Sequence, residues 1–204
     1  LTYTAPEAVA EALRWRQRTL PAARERAAQL GLRGAAFPWR TIEGREVSAY
    51  WPAGTAAFHV NADIAHAVVH YTETTGDEDF ERDTGLELLV ETARLWRSLG
   101  HHDHRGVFHI DGVTGPDEYS ALADDNTYTN LMARANLLAA ARAVERHPKE
   151  AERLGADSEE SASWRDAAEA MHIPYNSELR VHEQHAGFTR YQRWDFARTR
   201  ADQY

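Results

Sequence analysis

Cysteine is absent from the 204 residues, which excludes disulfide bonds, thiolate metal sites and a cysteine nucleophile. Long apolar runs are missing as well. No stretch approaches the roughly 20 continuous apolar residues of a membrane-crossing helix, and the N-terminus lacks the basic and apolar regions of a signal peptide. Nor is there an excess of positive charge: 32 acidic against 23 basic side chains leave a formal net charge of -9. Such a surface repels phosphate backbones, so nucleic acid is not an expected partner and a neutral or locally recognised ligand fits better. Glycine loops of the P-loop or dinucleotide type are missing, as is a G-x-S-x-G elbow. These absences together describe a soluble, cytoplasmic chain.

What is present has the balance of a globular protein, 43% hydrophobic and 27% charged, so a packed core is expected. The helical signals come in pairs. Ala5 to Leu30 is rich in Ala, Arg, Glu and Leu, with Pro6 suited to a first helical turn and Pro21 interrupting the middle, which predicts two helices or one kinked one. Gly31 and Gly34 stop it. Ala57, Val60, Ile64, Ala67, Val68 and Tyr71 form a stripe at spacings of three and four that ends before Gly76. Leu86, Leu89, Ala93, Trp96 and Leu99 repeat the pattern up to Gly100, with Asp77 as N-cap. Tyr128, Leu131, Met132, Ala135, Leu138 and Ala139 mark a third apolar face, and Trp164, Ala167, Ala168 and Met171 a fourth, closed by Pro174.

Between the helices lie long loops. Ala35 to Gly54 mixes aromatics, proline, glycine and charge without periodicity. A short strand is predicted near Arg105 to Ile110, and an extended hairpin from Arg180 to Phe188. His101, His102 and His104 read as exposed residues of a helix-ending turn. His66 and His70 are four apart, but Ala67 stands where a zinc-binding H-E-x-x-H motif has its glutamate, so no metal is expected. No repeat of short period or linker divides the chain, which is taken as one domain over 1–204. Leu1 and the run Asp202-Gln203-Tyr204 read as cut ends of a longer protein.

Two segments could carry chemistry. One runs from Ile110 to Tyr119 and continues through Asp124, Asp125 and Asn126. There glycines and a proline fix an irregular backbone, Glu118 stands beside Tyr119, and Asn126 opens the next helix. A carboxyl held against an aromatic ring is partly desolvated, which raises its pKa and keeps the proton a general acid must give. Asp and Asn are equally ordinary turn and cap residues. The other segment holds Phe37-Pro38-Trp39-Arg40, Glu46 and Trp51. Flat rings beside charged hydrogen-bonding groups suit a sugar, whose faces are apolar and whose rim is hydroxylated. The same rings could instead plug the core beneath a long loop.

Four motifs in register resemble glycoside hydrolase family 65, the family of maltose, trehalose, kojibiose and nigerose phosphorylases. They are Gly34-Ala35-Ala36-Phe37-Pro38-Trp39-Arg40, Ser48 to Ala56, His59-Val60-Asn61-Ala62-Asp63-Ile64-Ala65, and Thr114-Gly115-Pro116-Asp117-Glu118-Tyr119 with Tyr128-Thr129-Asn130. The resemblance implies an all-α fold, the (α/α)6 barrel of paired helices with its site in loops at one end, here an incomplete portion. It implies Glu118 as general acid and Trp39 in the wall of the glucosyl subsite, with Arg40, Glu46, Tyr119 and Asn126 as further substrate-binding candidates. It implies an inverting phosphorolysis of an α-linked glucose disaccharide, with inorganic phosphate as co-substrate, no cofactor, and a homodimer for the complete enzyme. An inverting hydrolase would need a second carboxylate roughly 6.5–9.5 Å from the acid to activate water. Phosphate is already an anionic nucleophile and needs mainly positioning. The alternatives that stand beside phosphorolysis are that hydrolase and a non-catalytic sugar-binding scaffold.

Overall fold

Proline placement sets the first two helices. In the computed structural model, which describes residues 1–48, 51–117 and 120–200, α1 spans Pro6–Arg18 and α2 spans Leu20–Gln29, each with a proline in its opening turn. Proline is tolerated there because the first helical N–H groups have no intrahelical acceptor. The break falls at Thr19, whose hydroxyl turns back onto the Arg16 carbonyl.

The long apolar stripes give the body of the domain. Helix α3 (His59–Thr75) ends at Gly76. A single turn, α4 (Glu78–Phe80), is capped by the Asp77 carboxylate accepting from the Phe80 amide, as the sequence predicts. A π-helical segment, Glu81–Gly85, leads into α5 (Leu86–Leu99). Beyond it come α6 (Thr127–Arg146), α7 (Pro148–Arg153) and α8 (Ser158–Glu169). Helix α6 lies against α3, α5 and α8. Between them Trp96 and Trp164 are fully buried, and the Trp96 indole N–H donates to Asn136 Oδ1 at 3.0 Å.

Three expectations are corrected. On α6 the buried face is Ala133, Asn136, Leu137, Ala140 and Val144, while Tyr128 and Leu131 are exposed. Of the predicted stripe, Met132 and Leu138 pack half-buried against the core and Ala139 is buried, so the expectation fails at Tyr128, Leu131 and Ala135, where the helix turns toward solvent. The C-terminal hairpin forms earlier than predicted, as β5 (Tyr175–Asn176) and β6 (Val181–His182). Asn176 Oδ1 accepts from the amides of Glu178 and Leu179 and bends the chain there, and Phe188–Arg190 is a 3-10 turn instead. His101 and His102 are not a helix-ending turn but a strand, β3, paired with β4 (Phe108–His109). The only other strands among the described residues are β1 (Thr41–Ile42) and β2 (Arg45–Glu46), a small hairpin in the aromatic loop. Among the described residues no helix is long and apolar enough to cross a membrane.

One ion cluster sits at the C-terminal ends of α3 and α6. Glu81, on the π-helical segment, is buried and meets the guanidinium of Arg146 through two of its nitrogens and His147 Nε2 at 3.0 Å. Burial pushes its carboxyl up, and the bonds to Arg146 and His147 more than reverse this, leaving it below the ordinary carboxylate value. A group depressed in the folded state stabilises above its unfolded pKa and loses that contribution as pH falls through the folded value. Glu81→Gln is expected to cost about 2 kcal/mol near neutrality, less than a wholly buried pair because half of Arg146 meets solvent. Urea unfolding of the full-length protein should show the gap between variant and parent closing below about pH 4, the acid side of a free carboxylate; a gap constant with pH would contradict this.

Candidate active site

The loop between α2 and α3 is held from below by one largely buried cation. Arg26, on α2, donates to the carbonyls of Ala36 and Phe37 at 3.2 Å each and of Thr55 at 2.5 Å. It pairs with Glu46 at 2.9 Å and lies over the Phe58 ring. Burial lowers its pKa, against the opposing pull of Glu46. From α3, the buried amide of Asn61 accepts from the Phe37 amide at 2.7 Å and donates to the Phe58 carbonyl at 2.9 Å. Phe37 is therefore fixed in the core, and the chain emerges from it at Trp39.

Trp39 is half-buried and meets the half-buried Trp51 edge to face, ring centroids 6.4 Å apart. Gly54 lies beneath both indoles and Ser48, where even a methyl group would press on all three. The Arg40 guanidinium stacks over the Trp39 ring, 4.6 Å from its centroid. Glu46 is engaged within the loop, accepting from the Ser48 amide at 2.6 Å as well as pairing with Arg26. Its position serves to hold Ser48 and the hairpin in place.

The second loop leaves β4 and returns to α6, and it is clamped at several levels. The Asp125 amide donates to the Ile110 carbonyl at 2.8 Å, and Val113 and Ala123 exchange backbone bonds at 3.0 and 2.9 Å. The Gly112 amide donates to Asp124 Oδ1 at 2.9 Å. Asn126 is the N-cap of α6, its Oδ1 accepting from the Thr129 amide and hydroxyl. Capping amides of this kind satisfy donors the first turn leaves open. Its amide group fills the space beside Gly115 so closely that any side chain there would collide with it. Glu118 and Tyr119 lie outside the described residues.

Thr114 joins the two loops. Its amide donates to Ala56 O at 3.0 Å, and its hydroxyl lies 2.6 Å from both the Ala53 and the Ala121 carbonyls. The segment that leads to Glu118 is thus bonded to the segment that follows Trp51. On the other side, Pro116, Asp117, Asn126 and Tyr128 line a cavity of about 490 Å³ with the β6 segment and Phe188. Tyr128 donates to Asp63 Oδ1 at 2.7 Å, and Asp63 also holds His59 Nδ1 at 2.9 Å. Burial and the Asp63 charge push the Tyr128 phenol up to about 12.

Of the sequence candidates, Trp39 and Arg40 come together in the first loop, beside Glu46, and Asn126 closes the second. Asn61 and Asp63 stand within one of the family motifs and Asp125 within the second chemistry-bearing segment, though none of them has a role of its own in the sequence, and Arg26 lies outside every motif. Arg26 is one arginine among many on charged helices, and nothing in its neighbours announces that it faces inward. Asn61, an amide within an otherwise apolar helix stripe, did carry a signal.

A helical scaffold that brings indoles, carboxylates and amides together in adjoining loops presents the kind of surface that suits a sugar. The chain belongs to glycosyl hydrolase family 65: the sequence model of that family's central catalytic domain matches residues 1–204. An uncharacterized glycosyl hydrolase of Mycobacterium tuberculosis is 64% identical over 196 residues, 96% of this chain and 25% of that protein. An α,α-trehalose phosphorylase of Geobacillus stearothermophilus is 47% identical over 210 residues, 98% of this chain and 27% of that protein. The solved structure of a protein from the human microbiome, provisionally described as a kojibiose phosphorylase, superposes with a TM-score of 0.89 at 29% identity, covering 98% of this chain and 30% of that one. The chain thus spans about a quarter of the length of these relatives, and its helices are a portion of the (α/α)6 barrel of the family.

Proposed function

We propose that the full-length protein cleaves an α-linked glucose disaccharide by inverting phosphorolysis, and that residues 1–204 are one portion of a single barrel domain. Glu118 gives its proton to the departing glycosidic oxygen while phosphate attacks the anomeric carbon from the opposite face; the C–O bond to the leaving sugar breaks as the new C–O bond to phosphate forms. The product is β-glucose 1-phosphate, and no cofactor takes part. The observation that carries this proposal is the bonding of Thr114 to Ala53 and Ala56, which brings the segment before Glu118 against the loop of Trp39 and Trp51. A proton donor beside an aromatic wall is what glycosidic cleavage requires.

The 47% identity to a trehalose phosphorylase, against 29% to the kojibiose-type structure, makes α,α-trehalose the first substrate to assay. Turnover should depend on phosphate and release β-glucose 1-phosphate, followed by proton NMR of the anomeric signal. Equal turnover in phosphate-free buffer would replace this proposal with hydrolysis. Turnover of none of trehalose, maltose and kojibiose with phosphate would defeat it.

A further inference from the structure

We infer that Asp125 and His109 form a positioning pair for the acid-bearing loop, an inference that rests on the proposed role of Glu118. Asp125 is 4% exposed and is one of three non-glycine residues among those described with a positive φ, here 49°. The left-handed region is unfavourable for a side-chain-bearing residue and persists where surrounding bonds hold it. Those bonds are present. The carboxylate accepts from His109 Nδ1 at 2.7 Å, from Asn130 Nδ2 at 3.0 Å and from the Ile110 amide at 3.3 Å.

The consequence is geometric. His109 and Ile110 lead into the loop, whereas Asp125 leads out of it into α6, so one side chain sews the two ends together. Asn130 shares its amide with the His172 carbonyl at 2.8 Å, which ties the same knot to the chain after α8. Along the chain Glu118 falls between the two sewn ends, and by this inference their register bears on the acid. Nothing in this arrangement requires Asp125 or His109 to touch the substrate.

The pair also faces other titratable side chains. His109 Nε2 lies 3.8 Å from Asp103 Oδ2, and its ring stacks on that of His101 at 5.8 Å and lies tilted against that of His172 at 5.1 Å. Asp111 is pushed up by burial and by the charges of Asp124 and Asp125, and His101 and His109 pull it back. Removing the Asp125 charge therefore takes away one of the influences that push the Asp111 carboxyl up, besides loosening the loop base.

The test separates acid placement from general damage by changing the leaving group. A disaccharide needs its oxygen protonated, whereas α-glucosyl fluoride loses fluoride with little help and gives the same β-glucose 1-phosphate with phosphate. Asn tolerates a positive φ, so Asp125→Asn keeps the backbone and removes the charge. In the full-length protein it should lower kcat on the disaccharide by about 10²-fold, the scale of a misplacement near 1 Å, with KM little changed and far less loss on the fluoride. Should Asp125→Asn fail to fold, His109→Phe is expected to show the same split, and His109→Asn, which keeps a donor near Nδ1, to restore much of the rate. Equal losses on both donors, or a loss confined to KM, would overturn the inference while leaving the phosphorolysis proposal standing. A parent protein inactive on both donors would instead sink that proposal, and this inference with it.

Discussion

Glu118→Gln in the full-length protein is expected to lower kcat on the natural disaccharide roughly 10²- to 10⁴-fold, the usual contribution of a positioned general acid. The amide is nearly isosteric and still hydrogen-bonds, so substrate affinity should survive. What it cannot do is release a proton as the glycosidic bond lengthens. The loss should therefore fall on kcat, a pattern that marks an interaction made in the transition state rather than in the bound ground state. The alkaline limb of the pH–rate profile would also change, because the group whose deprotonation ends activity has gone. Steady-state kinetics on trehalose with saturating phosphate would check this. Unchanged kcat would remove Glu118 from the chemistry and leave the scaffold as a binder or a platform for another acid.

Arg26→Ala is expected to be the most damaging change away from the acid loop. The guanidinium satisfies three carbonyls, neutralises Glu46 and covers the Phe58 ring. Truncation leaves a largely buried carboxylate without its partner, a defect that costs about 3–5 kcal/mol. Thermal unfolding should report that loss. Since the carbonyls involved flank Trp39 and Trp51, KM for the sugar should also rise. Arg26→Lys should rescue little, because a single ammonium cannot reproduce a planar fork aimed at several acceptors. The double change Arg26→Met with Glu46→Leu removes both charges, so it should be less destabilised than Arg26→Ala alone. A melting temperature for Arg26→Ala equal to the parent's would show that the loop is held by other means.

Much of the helical framework was legible because its signals are local. Pro6 and Pro21 start α1 and α2, Asp77 caps α4, and the stripes through Ile64 to Tyr71 and Leu86 to Trp96 are buried as their spacing predicts. Where a feature depends on what lies opposite, local pattern misled. On α6 the predicted stripe holds at Met132, Leu138 and Ala139 but fails at Tyr128 and Leu131, because the neighbouring helices cover the face centred on Ala133, Leu137 and Ala140. The C-terminal hairpin was displaced because the decisive turn is made by the Asn176 side chain, whose bonds to the following amides leave no periodic trace.

The site divides in the same way. Sequence motifs sufficed to place the chain in its family and to nominate Trp39, Arg40, Glu46, Glu118, Tyr119 and Asn126, because a family's chemistry is recorded in residue type and order. Glu46 shows what such nomination leaves open, since its carboxylate is bound to Arg26 and the Ser48 amide within the loop. The bonding partners of Arg26, Asn61, Thr114 and Asp125 are visible only in the tertiary structure. Each acts by bonding to residues distant along the chain, and a hydrogen bond of that kind is a fact about folded space that no spacing in the sequence encodes.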